Sequence, residues 1–222
     1  MIWRRILWTV LAVGILFLLN DWQLTAPQPA AQARFFKVTT QGQVLAPWQG
    51  PWHCVLDSHT GLLWEVKRDD ESIHEGDWTY SWFDGQNGSA NQGDCYFRAE
   101  RCDSADLIVA SNHSALCGVT DWRLPTSREL DALRVAQDRA HQPQLAEDYF
   151  RFIKDGDYWT ADHALPLTGI YQRQGLGARA FNFYQWQSSI LPYRNAAFVM
   201  LVANAPKPLM QLASTTTNHP LN

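Results

Sequence analysis

Four cysteines, Cys54, Cys95, Cys102 and Cys117, carry the most definite chemistry in this 222-residue chain. Thiols act as metal grips or redox couples most readily as a C-x-x-C pair, and the sequence has none. In an oxidising compartment an even number of cysteines forms disulfides instead. Cys95 and Cys102 enclose only Tyr-Phe-Arg-Ala-Glu-Arg and make a natural local pair. That leaves Cys54 for Cys117, closing a loop of about sixty residues. Zinc is the rival reading, because His53 adjoins Cys54 and His113 lies near Cys117, although the ligand spacing is wrong for it.

A second set of groups could bind rather than react. The loop at 84–94 offers Asp84, Asn87, Asn91 and Asp94, oxygen ligands of the kind calcium gathers six to eight at a time. The same residues also make ordinary turns, so calcium is at most a possible cofactor. Aromatics are the richer material. Trp48, Trp52, Trp78, Trp82, Trp159, Tyr184 and Trp186 look too many for the centre of one small domain. Exposed indole and phenol faces stack on sugar rings or anchor protein interfaces. Tyr184-Gln185-Trp186-Gln187 mixes rings with amides that suit saccharide hydroxyls. The candidate ligand-binding set is therefore Trp78, Trp82, Trp159, Tyr184 and Trp186, with Arg179 and Arg194 from a segment that lacks carboxylates. Residues 34–162 carry twelve basic and twenty-one acidic groups, whereas 163–222 carry four basic and none acidic. A net charge of −4 argues against a general binder of nucleic-acid backbone. G-x-S-x-G and a Ser-His-Asp signature are both missing, so catalysis is the weaker reading.

These residues need elements to hold them. Arg4 and Arg5 precede an apolar run at 6–19, the pattern of an export signal or an N-terminal membrane helix. Ala31-Gln32-Ala33 reads as a cleavage site, and Pro27 and Pro29 mark a linker. Residues 1–33 are then a cleaved signal peptide or an uncleaved transmembrane anchor with a Pro/Ala/Gln tether. Either places the remainder outside the cytoplasm, facing the periplasm or secreted. A domain at 34–207 follows, and residues 208–222 should be a frayed, flexible tail. Phe35-Phe36-Lys37-Val38 reads as a strand. Residues 54–57 and 62–67 read as a hairpin around a Gly-ended turn, and 78–83 as a further strand. Asp103 should cap a helix over 104–116, with Gly118 just past its end. Thr126-Ser127-Arg128-Glu129 is a capping box opening a second helix that fades near 142. Tyr158 to Thr160, 178–184 and 197–203 complete the strands, with Phe198-Val199-Met200-Leu201-Val202 apolar enough for a central, buried one. The order β, α, α, β predicts an α+β domain.

Several of these pieces together are diagnostic. Thr60-Gly61-Leu62-Leu63-Trp64 is followed by the Cys102-Asp103-Ser104 helix start and by Leu116-Cys117-Gly118. Then come Asp121-Trp122-Arg123-Leu124-Pro125-Thr126, Tyr158-Trp159-Thr160, Phe181-Asn182-Phe183 and the apolar segment 198–202. In this order, over about 52–203, the sequence resembles the Lcl C-terminal domain family, named for a collagen-like bacterial adhesin. The resemblance implies a C-type-lectin-like α+β fold, akin to formylglycine-generating enzymes, with short antiparallel strands, two helices and long loops. Met200 stands where the family's last strand usually carries a basic residue, and no collagen-like repeat occurs. The adhesin's trimeric presentation and glycosaminoglycan binding are therefore not carried over. Trp64, Asp121, Trp122, Arg123 and Pro125 read as structural, with Asp121 the expected partner of Arg123. The function expected is non-catalytic recognition of a glycan or of an envelope or surface protein. The alternatives are a metal- or thiol-dependent enzyme of formylglycine-generating type, or a structural component of a pilus or envelope assembly.

Overall fold

The computed structural model describes residues 33–95, 101–135 and 145–216, all within one unit, Ala33–Asn222. The apolar run at 6–19, the linker prolines, most of the 31–33 motif and the last six residues lie outside the described residues. Among the described residues no helix is long and apolar enough to cross a membrane. The elements are β1 (Phe35–Val38), β2 (Cys54–Asp57), β3 (Leu62–Glu65), α1 (Ser104–His113), α2 (Ser127–Asp131), β4 (Asp157–Trp159), β5 (Leu165–Pro166), β6 (Leu176–Asn182), β7 (Gln187–Pro192), β8 (Val202–Asn204) and α3 (Lys207–Thr216). Short 3-10 turns occupy Leu116–Gly118 and Gly169–Gln174. The result is a mixed α and β domain whose two sheets are antiparallel, as expected in its coarse form.

The first sheet runs β1-β2-β3-β8. The predicted hairpin is present, closed by Gly61 in the left-handed region with its N–H donating to Asp57 O at 2.9 Å. Side chains alternate across a strand, and this sheet is buried on both faces. Cys54, Leu56 and Leu63 enter one apolar cluster with Trp82, Trp122 and Trp159. Val55, Leu62 and Trp64 enter a second with Trp52, Phe150, Phe181 and Trp186. Fully burying such side chains stabilises by roughly 1.5–3 kcal/mol each. In the second sheet β6 is central, with β7 along one edge and β4 and β5 sharing the other.

Glu65 breaks the apolar pattern of β3 and is fully buried. Its Oε1 accepts from Lys67 Nζ at 3.0 Å and meets His74 Nδ1 at 2.7 Å, while Oε2 accepts from Leu201 N at 2.8 Å. Burial pushes this carboxyl up. The Lys67 ammonium, the His74 contact and the Leu201 amide outweigh burial and hold it down at about 2.

Five expectations need correction. Helix α2, expected to fade near 142, already ends at Asp131, where the chain tightens into turns with Leu133 N donating to Leu130 O and Arg134 N to Asp131 O. The segment 197–203 is buried but is not a central strand. Ala197 bridges Tyr80, Phe198 bridges Tyr158, and only Val202–Asn204 forms a ladder, because the segment changes partners as it passes from one sheet to the other. Trp78 to Phe83 likewise makes single bridges to four different partners. Helix α1, capped by Asp103 Oδ1 accepting from Asp106 N at 3.0 Å, stops at His113, because Ala115 and Cys117 take left-handed backbone. Residues beyond Pro208 do not fray at once. They form α3, which buries Leu209 and Ala213 against the first cluster.

Candidate functional site

An open cleft of about 600 Å³ is lined by residues 145–155 and by Phe183 and Tyr184 at the turn between β6 and β7. Two elements set its shape. The turn is pinned from below, where Trp186 Nε1 donates to Asp131 Oδ1 at 2.7 Å and its ring packs edge-on against Phe181 and Phe183. With Trp186 turned inward, Tyr184 points out and is 61% exposed. The facing loop holds Phe152 at a φ of +55° and 45% exposed. That loop can approach only because position 76 is glycine. A Cβ there would lie 2.6 Å from Phe152 O, closer than real contacts allow. Lys154 Nζ reaches Asp77 Oδ1 at 2.6 Å, and Lys154 N donates to the Tyr158 hydroxyl at 2.8 Å. The cleft thus presents two aromatic faces on an apolar floor of Leu145, Phe150 and Phe183. Arg151, Lys154, Glu147 and Asp155 form a mixed-charge border.

The sequence candidates are not gathered in one place. Tyr184 lies on the cleft. Trp186 is 8% exposed and supports it from inside. Trp82 and Trp159 are core residues, with Nε1 donating to Thr160 O at 2.8 Å and to Tyr80 O at 2.6 Å respectively. Trp78 is half-buried and donates to Ser72 O at 2.8 Å. Trp52 is also buried, so the tryptophan surplus is mostly core. Two separate clusters, with backbone carbonyls for many of the indole N–H groups, have room for it. Arg179 faces Asp162 at 3.9 Å, and exposed Arg194 follows the far end of β7. The cleft residues Arg151, Phe152, Lys154 and Phe183 were not predicted. Their signal was the alternation of rings and cations in Tyr149-Phe150-Arg151-Phe152-Ile153-Lys154.

Among the calcium candidates the Asp84 and Asn87 side chains bond each other within one turn, and Asn91 and Asp94 are tied in through their backbones. Asp84 Oδ1 accepts from the amides of Gln86 and Asn87, and its Oδ2 from Asn87 Nδ2 at 3.0 Å. Those bonds hold its carboxyl below the usual range. Asn91 N donates to Asp103 Oδ2, and Asp94 bridges Thr79. Among the described residues no three carboxylates, imidazoles or thiols converge to hold a metal ion. The cysteines are paired as Cys54–Cys117 and Cys95–Cys102, and no thiol is left free.

The D-W-R-L-P-T segment is structural in detail. Trp122 is buried, with Nε1 donating to Leu116 O at 3.1 Å, and Pro125 is buried beside it. Thr126 and Glu129 form the predicted capping box. Arg123 does not pair with Asp121, which is exposed. It binds Glu129 bidentately, at 2.9 and 2.7 Å. The capping box turns the Glu129 carboxylate back over Arg123, and this pairing raises the guanidinium pKa. The model of the Lcl C-terminal domain matches residues 53–203. The chain belongs to the Lcl C-terminal domain family. The Lcl C-terminal domain match covers both disulfide pairs, the capping box and every residue lining the cleft. No curated protein and no solved structure matches the chain.

Proposed function

We propose that this protein is an exported, non-catalytic recognition domain of C-type-lectin-like type that binds a glycan in the cleft between residues 145–155 and the β6–β7 turn. The observation that carries this reading is the pair of outward aromatic faces, Tyr184 and Phe152, on one open cleft. Rings so placed stack on the apolar faces of sugars, and the charged border suits hydroxyls and substituents. Two disulfides support an oxidising, extracytoplasmic compartment. With every cysteine paired, the thiol-dependent enzyme has no nucleophile or thiolate ligand to use. Thiol titration of the unfolded, unreduced chain checks this point, and finding any free thiol would revive the enzyme. Glycan-array binding by the full chain, reduced at the same spots by Tyr184→Ala, is the expected outcome. An array without signal, alongside capture of one envelope protein that Tyr184→Ala abolishes, would move the cleft from glycan to protein recognition.

A further inference from the structure

Lys37 on β1 and Arg151 both hold their charges over the Trp52 indole, at 3.9 and 4.1 Å from the ring centroid. Lys37 Nζ also donates to Pro47 O at 2.8 Å, which draws the 47–51 loop to the same place. That loop carries Trp48, which is 72% exposed. Among the described residues, neither cation has a carboxylate within 4.0 Å. Two cations sharing one ring without a counter-charge repel each other, and anions paired with them remove that repulsion. An exposed indole beside lysine and arginine is also the composition that settles at a membrane–water interface.

The position of the patch in the chain selects its occupant. The described unit begins at Ala33, and Lys37 follows four residues later. The apolar run at 6–19, with Arg4 and Arg5 before it, is separated from Ala33 by thirteen residues. Even fully extended, these span at most about 45 Å. A domain tethered by that run stays within reach of the bilayer. A single exposed ring with two cations falls far short of the roughly 800 Å² per partner that a stable protein interface uses. Lys37, Trp48 and Trp52 also precede the span matched by the family, 53–203.

We infer that Lys37, Arg151 and Trp48 dock the folded domain onto anionic phospholipid. Lipid phosphates pair with the two cations, and the Trp48 ring enters the headgroup zone. The test reconstitutes the full chain into nanodiscs of phosphatidylcholine, with or without phosphatidylglycerol, and reads tryptophan quenching by brominated acyl chains. Trp3, Trp8 and Trp22 contribute equally to every variant. With phosphatidylglycerol present, Trp48→Phe loses part of the lipid-dependent quenching. The Lys37→Gln/Arg151→Gln double variant loses the same part although it keeps Trp48. In pure phosphatidylcholine the three proteins quench alike. Near-UV circular dichroism, dominated by the buried tryptophans, verifies each fold. Equal quenching of wild type and Trp48→Phe in anionic discs overturns the inference, as does a Trp48 contribution independent of phosphatidylglycerol or a chain that does not remain with the discs. Loss of dextran sulfate binding by the double variant, with lipid quenching unchanged, overturns it in favour of a soluble acidic polymer.

Discussion

Glu65 shows how one side chain can join two distant pieces of chain. Its carboxylate takes the Lys67 ammonium, His74 and the Leu201 amide, so removing it orphans a buried cation and a buried N–H together. Breaking a buried pair from one side costs roughly 3–5 kcal/mol. Glu65→Ala should lower the free energy of unfolding by that amount in urea titrations, with Glu65→Gln intermediate. The pH dependence has a definite sign. The folded carboxyl sits at about 2, below the ordinary 4.5. Its contribution is therefore complete above about pH 4.5 and is lost as pH falls towards 2. Urea midpoints for wild type and Glu65→Gln should converge over that window, and parallel curves would refute the assignment. The sequence reading placed this residue in a strand and saw nothing more. Leu63 and Glu65 share a strand face, so a carboxylate two residues from a core leucine was the available signal. Lys67 lies only two residues on, but His74, nine residues on, and Leu201, in a distant segment, could not be read as partners from local pattern.

At the level of elements, the most legible feature was the start of α2, because a capping box is written in four consecutive residues. Glu129 serves the cap and Arg123 at once. Glu129→Ala should therefore cost roughly 1–2 kcal/mol, more than a surface substitution, whereas Asp121→Ala should be nearly silent. Thermal unfolding of the two variants separates them. The disulfides were also legible, from their count and spacing. The chain-entropy model assigns about 4 kcal/mol to Cys54–Cys117 and about 2.5 kcal/mol to Cys95–Cys102. Paired serine substitutions should destabilise in that order in equilibrium unfolding. Less legible were the segments 78–83 and 197–203. The alternation at 78–83 and the apolar run at 198–202 report burial, but neither pattern says whether one neighbour or several supply the hydrogen bonds. The end of α1 was missed for a related reason. The apolar stripe runs on to Leu116, while Ala115 and Cys117 turn the backbone left-handed.

Across the whole molecule, the family resemblance located the domain, but it did not locate the cleft. Its two sides come from residues 145–155 and from 183–184, segments that no motif links and that meet through a Gly76 contact and an inward Trp186. Sequence reasoning found Tyr184 but placed it at the end of a strand, whereas it lies in the turn after β6. It also counted buried Trp82 and Trp159 as surface, because composition cannot tell two modest cores from one. The most direct test of the recognition reading is calorimetric titration of the full chain with the strongest glycan from an array, for wild type and Tyr184→Ala. A stacked ring contributes about 1–1.5 kcal/mol. The expected result is saturable binding by wild type and affinity reduced roughly tenfold in Tyr184→Ala, with an unchanged unfolding midpoint, since the ring is outside the core. Equal affinity in the two proteins would contradict the assignment of this cleft.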